Sequence, residues 1–336
     1  MIYLDNSATT PLAPEVRARV EESARDVYGN ASSVHRIGQR ARVVLDEARE
    51  SIARLVGAEP REIIFVSGGT EADNSAIKGY AFAVRAETNC WPTIITAHSE
   101  HHAVLAPVEM LSRMGADVRY VDVDSTGIVH PDALRRALAD VDAATRPIVS
   151  LMHANNETGA VNPIAELAAV ARELGAVFHS DAVQSFGKIP VNVRELGVDM
   201  MSLSAHKIHG PRGVGALYLS KQIEIEPLIH GGAQERNRRG GTEAVELVAG
   251  FDVAAQLAVR SLDENAARMS QLRERLRTGL LSSIDAVHVI TPLAQSLPNI
   301  LSITFDDAAS LDGEALIVGM DLRGVAVSNG SACTSG

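Results

Sequence analysis

The sequence predicts an α/β protein: an open, mainly parallel sheet flanked by helices, with a smaller unit attached. Three observations carry that expectation. Short apolar runs alternate with helix-length amphipathic segments over the first two thirds of the chain. Polar residues capable of chemistry follow several of those runs directly, where an open parallel sheet binds its ligands. From about Thr242 the pattern changes to long charged helices.

Taken in order, the chain opens with an extended Ile2-Tyr3-Leu4, and Pro14 starts a helix that runs to about Val27. A Gly/Asn/Ser-rich loop at 29–33 separates it from a long helix, one face of which is marked by Ile37, Ala41, Val44, Leu45, Ala48, Ile52 and Leu55. Residues 63–66, 93–97, 118–121, 148–152, 176–179 and 198–203 read as short buried strands. The stretch Gly210-Pro211-Arg212-Gly213-Val214-Gly215 can continue neither a helix nor a strand, so the chain turns there. Residues 262–281 form a long charged helix. This pattern divides the chain into a large domain, 13–250, and a small α+β domain built from 1–12 and 251–336.

Composition bounds the function. At 336 residues the chain exceeds a single domain of about 100–200 residues. Its net charge of -11 argues against general nucleic-acid binding, although Arg236, Arg238 and Arg239 cluster locally. The N-terminus lacks the basic and apolar regions of a signal peptide. Residues 286–305 carry no formal charge, but two prolines, Gln295 and Asn299 make them unsuitable as a membrane span. Two cysteines, Cys90 and Cys333, do not suggest a disulfide framework. The expectation is a cytoplasmic protein with neither a nucleic-acid nor a membrane partner.

The candidate site centres on Ser204-Ala205-His206-Lys207. A lysine fixed between a strand end and a tight turn has its amine aimed at one point. Burial would favour the nucleophilic free amine, which forms an imine with a carbonyl. Pyridoxal 5'-phosphate (PLP) is the cofactor that most often uses such a lysine. Other strand ends add to it. Ser67-Gly68-Gly69-Thr70-Glu71 is a glycine turn into a helix, suited to a phosphate or to a helix cap. Asp181 could hold a pyridine nitrogen protonated, or cap the next segment. Asn155 and Asn156 suit a phenolic oxygen or a turn. Among His98, His101 and His102, one could stack on an aromatic cofactor. The His-x-Glu element at 98–100 lacks the Pro-Cys-x-x-Cys of zinc deaminases, so no metal is expected. Small residues on both sides of Cys333 predict an accessible thiol that is nucleophilic as its thiolate.

These segments, joined by Tyr3-Leu4-Asp5-Asn6-Ser7-Ala8-Thr9-Thr10-Pro11, Gly29-Asn30-Ala31-Ser32-Ser33-Val34-His35, Glu100-His101, Asp181-Ala182-Val183-Gln184-Ser185 and Ser331-Ala332-Cys333-Thr334, resemble the cysteine desulfurases of the NifS/IscS type. That group lies within the PLP-dependent class V aminotransferase superfamily, and the resemblance runs nearly from end to end. It implies that Lys207 carries the cofactor as an imine and later moves the α-proton. Asp181 pairs with the pyridine nitrogen, Gln184 and Asn156 contact the phenolic oxygen, and His101 stacks on the ring. Gly69, Thr70, Ser204 and His206 hold the phosphate, while Thr242 reaches the phosphate of a partner subunit, which implies a homodimer. Cys333 takes sulfur from L-cysteine as a persulfide, leaving L-alanine, and passes it to an acceptor such as an iron–sulfur scaffold. Family members continue for several dozen residues past the cysteine loop and supply an arginine for the substrate carboxylate. This chain stops at Gly336, so the resemblance implies an incomplete small domain and no carboxylate ligand is named. Two other readings remain: another class V aminotransferase or lyase with Cys333 idle, and a truncated, non-catalytic dimeric interaction protein.

Overall fold

The computed structural model describes residues 1–306, 308 and 311–330. Strand β1 (Ile2–Tyr3) precedes two helices, α1 (Pro14–Asp26) and α2 (Arg36–Leu55). Strands and helices then alternate: β2 (Ile63–Val66), α3 (Gly69–Thr88), β3 (Ile94–Ala97), α4 (His102–Arg113), β4 (Val118–Val121), α5 (Pro131–Leu138), β5 (Ile148–Ser150), α6 (Ile164–Glu173), β6 (Val177–Asp181), α7 (Val193–Leu196), β7 (Met200–Ser204) and β8 (Gly215–Leu219). Strands β2 to β8 form one sheet in the order β2-β8-β7-β6-β5-β3-β4. Its members from β7 to β4 pair in parallel, and β8 is antiparallel to both β2 and β7.

Parallel strands need cover on both faces, which is why β3, β5 and β7 are buried along their whole length. One face packs residues such as Leu45, Ile52 and Phe178, and the other packs Ile77, Val104 and Leu111 from α3 and α4. β8 was not expected, because its five residues follow directly on the turn at 210–215. A Cβ at Gly215 would lie 2.5 Å from Leu203 O and 2.8 Å from the Gly68 Cα. Only glycine lets β8 start so close to the end of β7 and to the loop before α3.

The remainder comprises α8 (Val245–Arg260), α9 (Leu262–Ser283), β9 (Val287–Val289), β10 (Ile303–Phe305), α10 (Gly313–Leu322) and β11 (Val325–Ala326). α8 packs against α1 and α2 and runs across residue 250 without a break. β9 pairs with β10 antiparallel, whereas β1 pairs with β11 in parallel, Ile2 opposite Val325. No residue of α9 or α10 is buried. Among the described residues, no helix is long and apolar enough to cross a membrane.

Candidate active site

The loops after β2, β3, β5, β6 and β7, with the N-terminal segment and the residues after β11, line a cavity of about 210 Å³. Lys207 ends the short helical turn Ala205–Lys207 that follows β7. Its Nζ donates to Ala8 O at 2.8 Å and to Ser7 O. Nearby, Thr10 Oγ1 donates to His206 O at 2.8 Å and accepts the His209 N–H at 2.7 Å. His206 Nδ1 lies 3.1 Å from Thr9 Oγ1. Burial, then the charge of Lys207, brings the His206 imidazole down to about 4, so it is neutral at pH 7. Residues 7–10 are thus clasped against the lysine turn from almost two hundred positions away.

The N-terminus of α3 forms a second wall, with Gly69 and Thr70 on the cavity. A Cβ at Gly69 would come within 2.7 Å of Val183 Cγ2, so the close approach requires glycine. Among the described residues, no side chain caps α3; Glu71 instead ties down the preceding loop, accepting the Ser67 N–H at 2.8 Å and pairing with Arg239 Nε at 3.0 Å. Facing α3, the Ser204 hydroxyl is buried without a partner. Open helix N–H groups, the Thr70 hydroxyl and this orphaned hydroxyl make a fitting cradle for a phosphate.

Asp181 caps its own turn and also reaches the cavity. Its Oδ1 accepts the Val183 N–H at 2.8 Å, which fixes the turn, and the residue also lines the cavity. Burial pushes its carboxyl up. The two asparagines divide their roles. Asn155 Oδ1 accepts the N–H groups of Glu157 and Thr158, both at 2.8 Å, whereas Asn156 lines the cavity. Gln184 donates from Nε2 to Ser7 O at 2.8 Å. His101 caps α4 by accepting the Ala103 N–H on Nδ1 at 3.1 Å, which leaves the proton on Nε2, and burial draws its pKa down. It lines the cavity, while His98 stacks on Tyr120 at 3.8 Å and His102 is exposed. Thr242 is exposed and does not line this cavity. Cys333 lies outside the described residues; Ser328 and Gly330, just before it, are on the cavity wall.

Sequence reasoning gave no role to two buried carboxyls beside Asp181. Asp73 lines the cavity one helical turn after Gly69, and burial, then the Asp181 charge, pushes it well above the carboxylate range. Its spacing from Gly69 was the available signal. Glu100 accepts the Met152 N–H on Oε1 at 2.7 Å and is also raised by burial. Among the described residues, no arginine lines the cavity. A lysine amine, a carboxyl for a ring nitrogen, amides for a ring oxygen and a phosphate cradle fit PLP group by group.

Residues 2–335 match the family described as aminotransferase class-V. The chain is 46% identical over 334 residues to the cysteine desulfurase IscS of Dictyoglomus turgidum, covering 99% of this chain and 82% of that protein. It is 43% identical over 334 residues to the cysteine desulfurase IscS of Methanosarcina thermophila, covering 99% of this chain and 80% of that protein. A solved NifS-like protein superimposes with a TM-score of 0.91 at 40% identity, over 98% of this chain and 87% of that one. With a cavity built for PLP and likeness along nearly its whole length, the chain belongs to the PLP-dependent class-V aminotransferase family, among its cysteine desulfurases.

Proposed function

We propose that this cavity binds PLP and converts L-cysteine to L-alanine, the substrate sulfur passing to Cys333 as a persulfide. The observation that carries this reading is the convergence of Lys207, Asp181, Gln184, Asn156, His101, Ser204 and the α3 N-terminus on one cavity. Bound PLP supplies an electron sink for charge that develops at the substrate α-carbon. Lys207 holds the cofactor through Nζ and, when displaced by substrate, moves the proton at the α-carbon. Asp181 keeps a proton on the pyridine nitrogen, Asn156 and Gln184 face the phenolic oxygen, and His101 covers the ring. Gly69, Thr70, Ser204 and His206 hold the phosphate. The Cys333 thiolate forms a sulfur–sulfur bond with the substrate, and the carbon–sulfur bond breaks with its electron pair left on carbon.

The proposal extends to the assembly. Thr242 is assigned to the phosphate of a second copy, making a homodimer, and residues 13–250 to the unit that holds the cofactor. The persulfide is passed to an acceptor, an iron–sulfur scaffold or another thiolation target, in the cytoplasm. The test is alanine release from L-cysteine by the PLP-loaded protein and by Lys207→Ala. Release by the parent alone, with borohydride fixing cofactor to the parent alone, is expected. Cofactor covalently attached to Lys207→Ala would remove Lys207 from its role.

A further inference from the structure

Lys188 is a buried amine with no part in the steps above. It is 7% exposed, follows the turn after β6, and donates from Nζ to Gln184 Oε1 at 2.9 Å. Gln184 donates in turn from Nε2 to Ser7 O at 2.8 Å, and Ser7 O also accepts from Lys207 Nζ. An ammonium can only donate, so this contact decides which way the amide points: Oε1 faces Lys188 and Nε2 faces Ser7 and the cavity. A continuous line of polar groups therefore joins a buried ammonium to the reactive amine.

We propose that Lys188 is a positioning residue for PLP: it locks Gln184 with its N–H toward the ring oxygen, and its charge helps set the pH at which the cofactor-linked nitrogen of Lys207 takes up a proton. The inference rests on the PLP reading of the cavity. The charged and titratable groups that face Lys188 are Lys207 and His206, both from the segment after β7. Gln184 on its own turn is a dipole. Burial, then the Lys207 charge, brings the Lys188 ammonium down to about 7, and no carboxylate among the described residues offsets that. A negatively charged ring oxygen held by Gln184 supplies the counter-charge. Without it, an ammonium in this position carries the full cost of burial.

The test uses Lys188→Met, which keeps the length and loses the charge, and Lys188→Arg, which keeps a charged donor. Each PLP-loaded protein is titrated by the visible absorption of the cofactor, and its PLP dissociation constant is measured. Removing a nearby positive charge stabilises the protonated nitrogen, so the Lys188→Met transition moves to higher pH by about one unit. Its PLP dissociation constant rises roughly tenfold, about 1.4 kcal/mol, at unchanged circular dichroism. Lys188→Arg keeps its transition near the parent position. A folded Lys188→Met with the parent transition and affinity overturns the proposal, as does a Lys188→Arg transition displaced by about one unit. Failure of the parent itself to take up PLP would instead sink the reading of the cavity, a result distinct from either.

Discussion

At the scale of residues, three carboxyls share one low-dielectric region, and their environments assign them different tasks. Asp181 receives a backbone N–H and faces the cavity, so it is the one placed to meet a cationic ring nitrogen. Asp181→Ala should leave PLP attached through Lys207 while slowing the carbanion-dependent steps by about a hundredfold or more, measured by stopped-flow absorbance. Unchanged rates would reduce Asp181 to a turn-former. Burial, then the Asp181 charge, pushes Asp73 well up, so it keeps its proton to higher pH in the folded chain than in the unfolded one. A raised acid contributes stability at low pH that is lost as pH rises toward its folded value. Asp73→Asn should abolish that loss, about 1.4 kcal/mol per pH unit, in urea unfolding above pH 5. Parallel pH profiles for parent and variant would show that Asp73 is ionised after all.

At the scale of elements, the segment leading to Thr242 is pinned by a buried ion pair. Arg49 of α2 grips Glu235 through both terminal nitrogens at 2.6 and 2.7 Å, and Glu235 also accepts the Phe65 N–H of β2 at 3.0 Å. The pair holds Glu235, Arg236 and Asn237 at φ 44°, 58° and 64°, which such residues rarely adopt. Glu235→Ala leaves the Arg49 charge buried alone and should cost about 3–5 kcal/mol in urea unfolding, much of it restored by Arg49→Met/Glu235→Leu. A loss below about 1 kcal/mol would mean that water reaches Arg49. Much at this scale was legible in the sequence. Apolar runs marked β2 to β7, Pro14 marked the start of α1, and polar residues at strand ends marked Lys207, Asp181 and Thr70. β8 was hidden by the glycine and proline residues before it. β9 and β10 were hidden because 286–305 shows no charge and no clear period. Lys188 and Asp73 escaped notice because a pattern of residue types does not reveal that a charged side chain is buried.

At the scale of the whole molecule, the N-terminal segment joins two distant parts. β1 pairs with β11, and residues 7–10 then cross to the Lys207 turn. In sequence, Cys333 follows β11 by seven residues. The fold also carries an acid liability. Burial brings His153 down to about 4 and His179 to about 3, so both are neutral inside the folded chain. Groups lowered in this way contribute stability above their ordinary value near 6.5 that is lost as pH falls toward their folded values. Below pH 6.5 each should cost about 1.4 kcal/mol per pH unit, and His153→Leu should flatten the slope by that amount in urea unfolding. An identical slope would show that His153 is not held neutral.

The central claim is that sulfur moves from L-cysteine to one particular thiol. The two cysteines make an internal control. Cys90 is exposed and lies past the far end of α3, whose 20 residues span about 30 Å from the cavity. The PLP-loaded protein is incubated with L-cysteine, digested without reductant, and the two cysteine peptides are weighed by mass spectrometry. An added sulfur atom on the Cys333 peptide, with none on the Cys90 peptide, is the result this account predicts. Alanine accumulating while Cys333 stays unmodified throughout turnover, or sulfur on Cys90 alone, would contradict it.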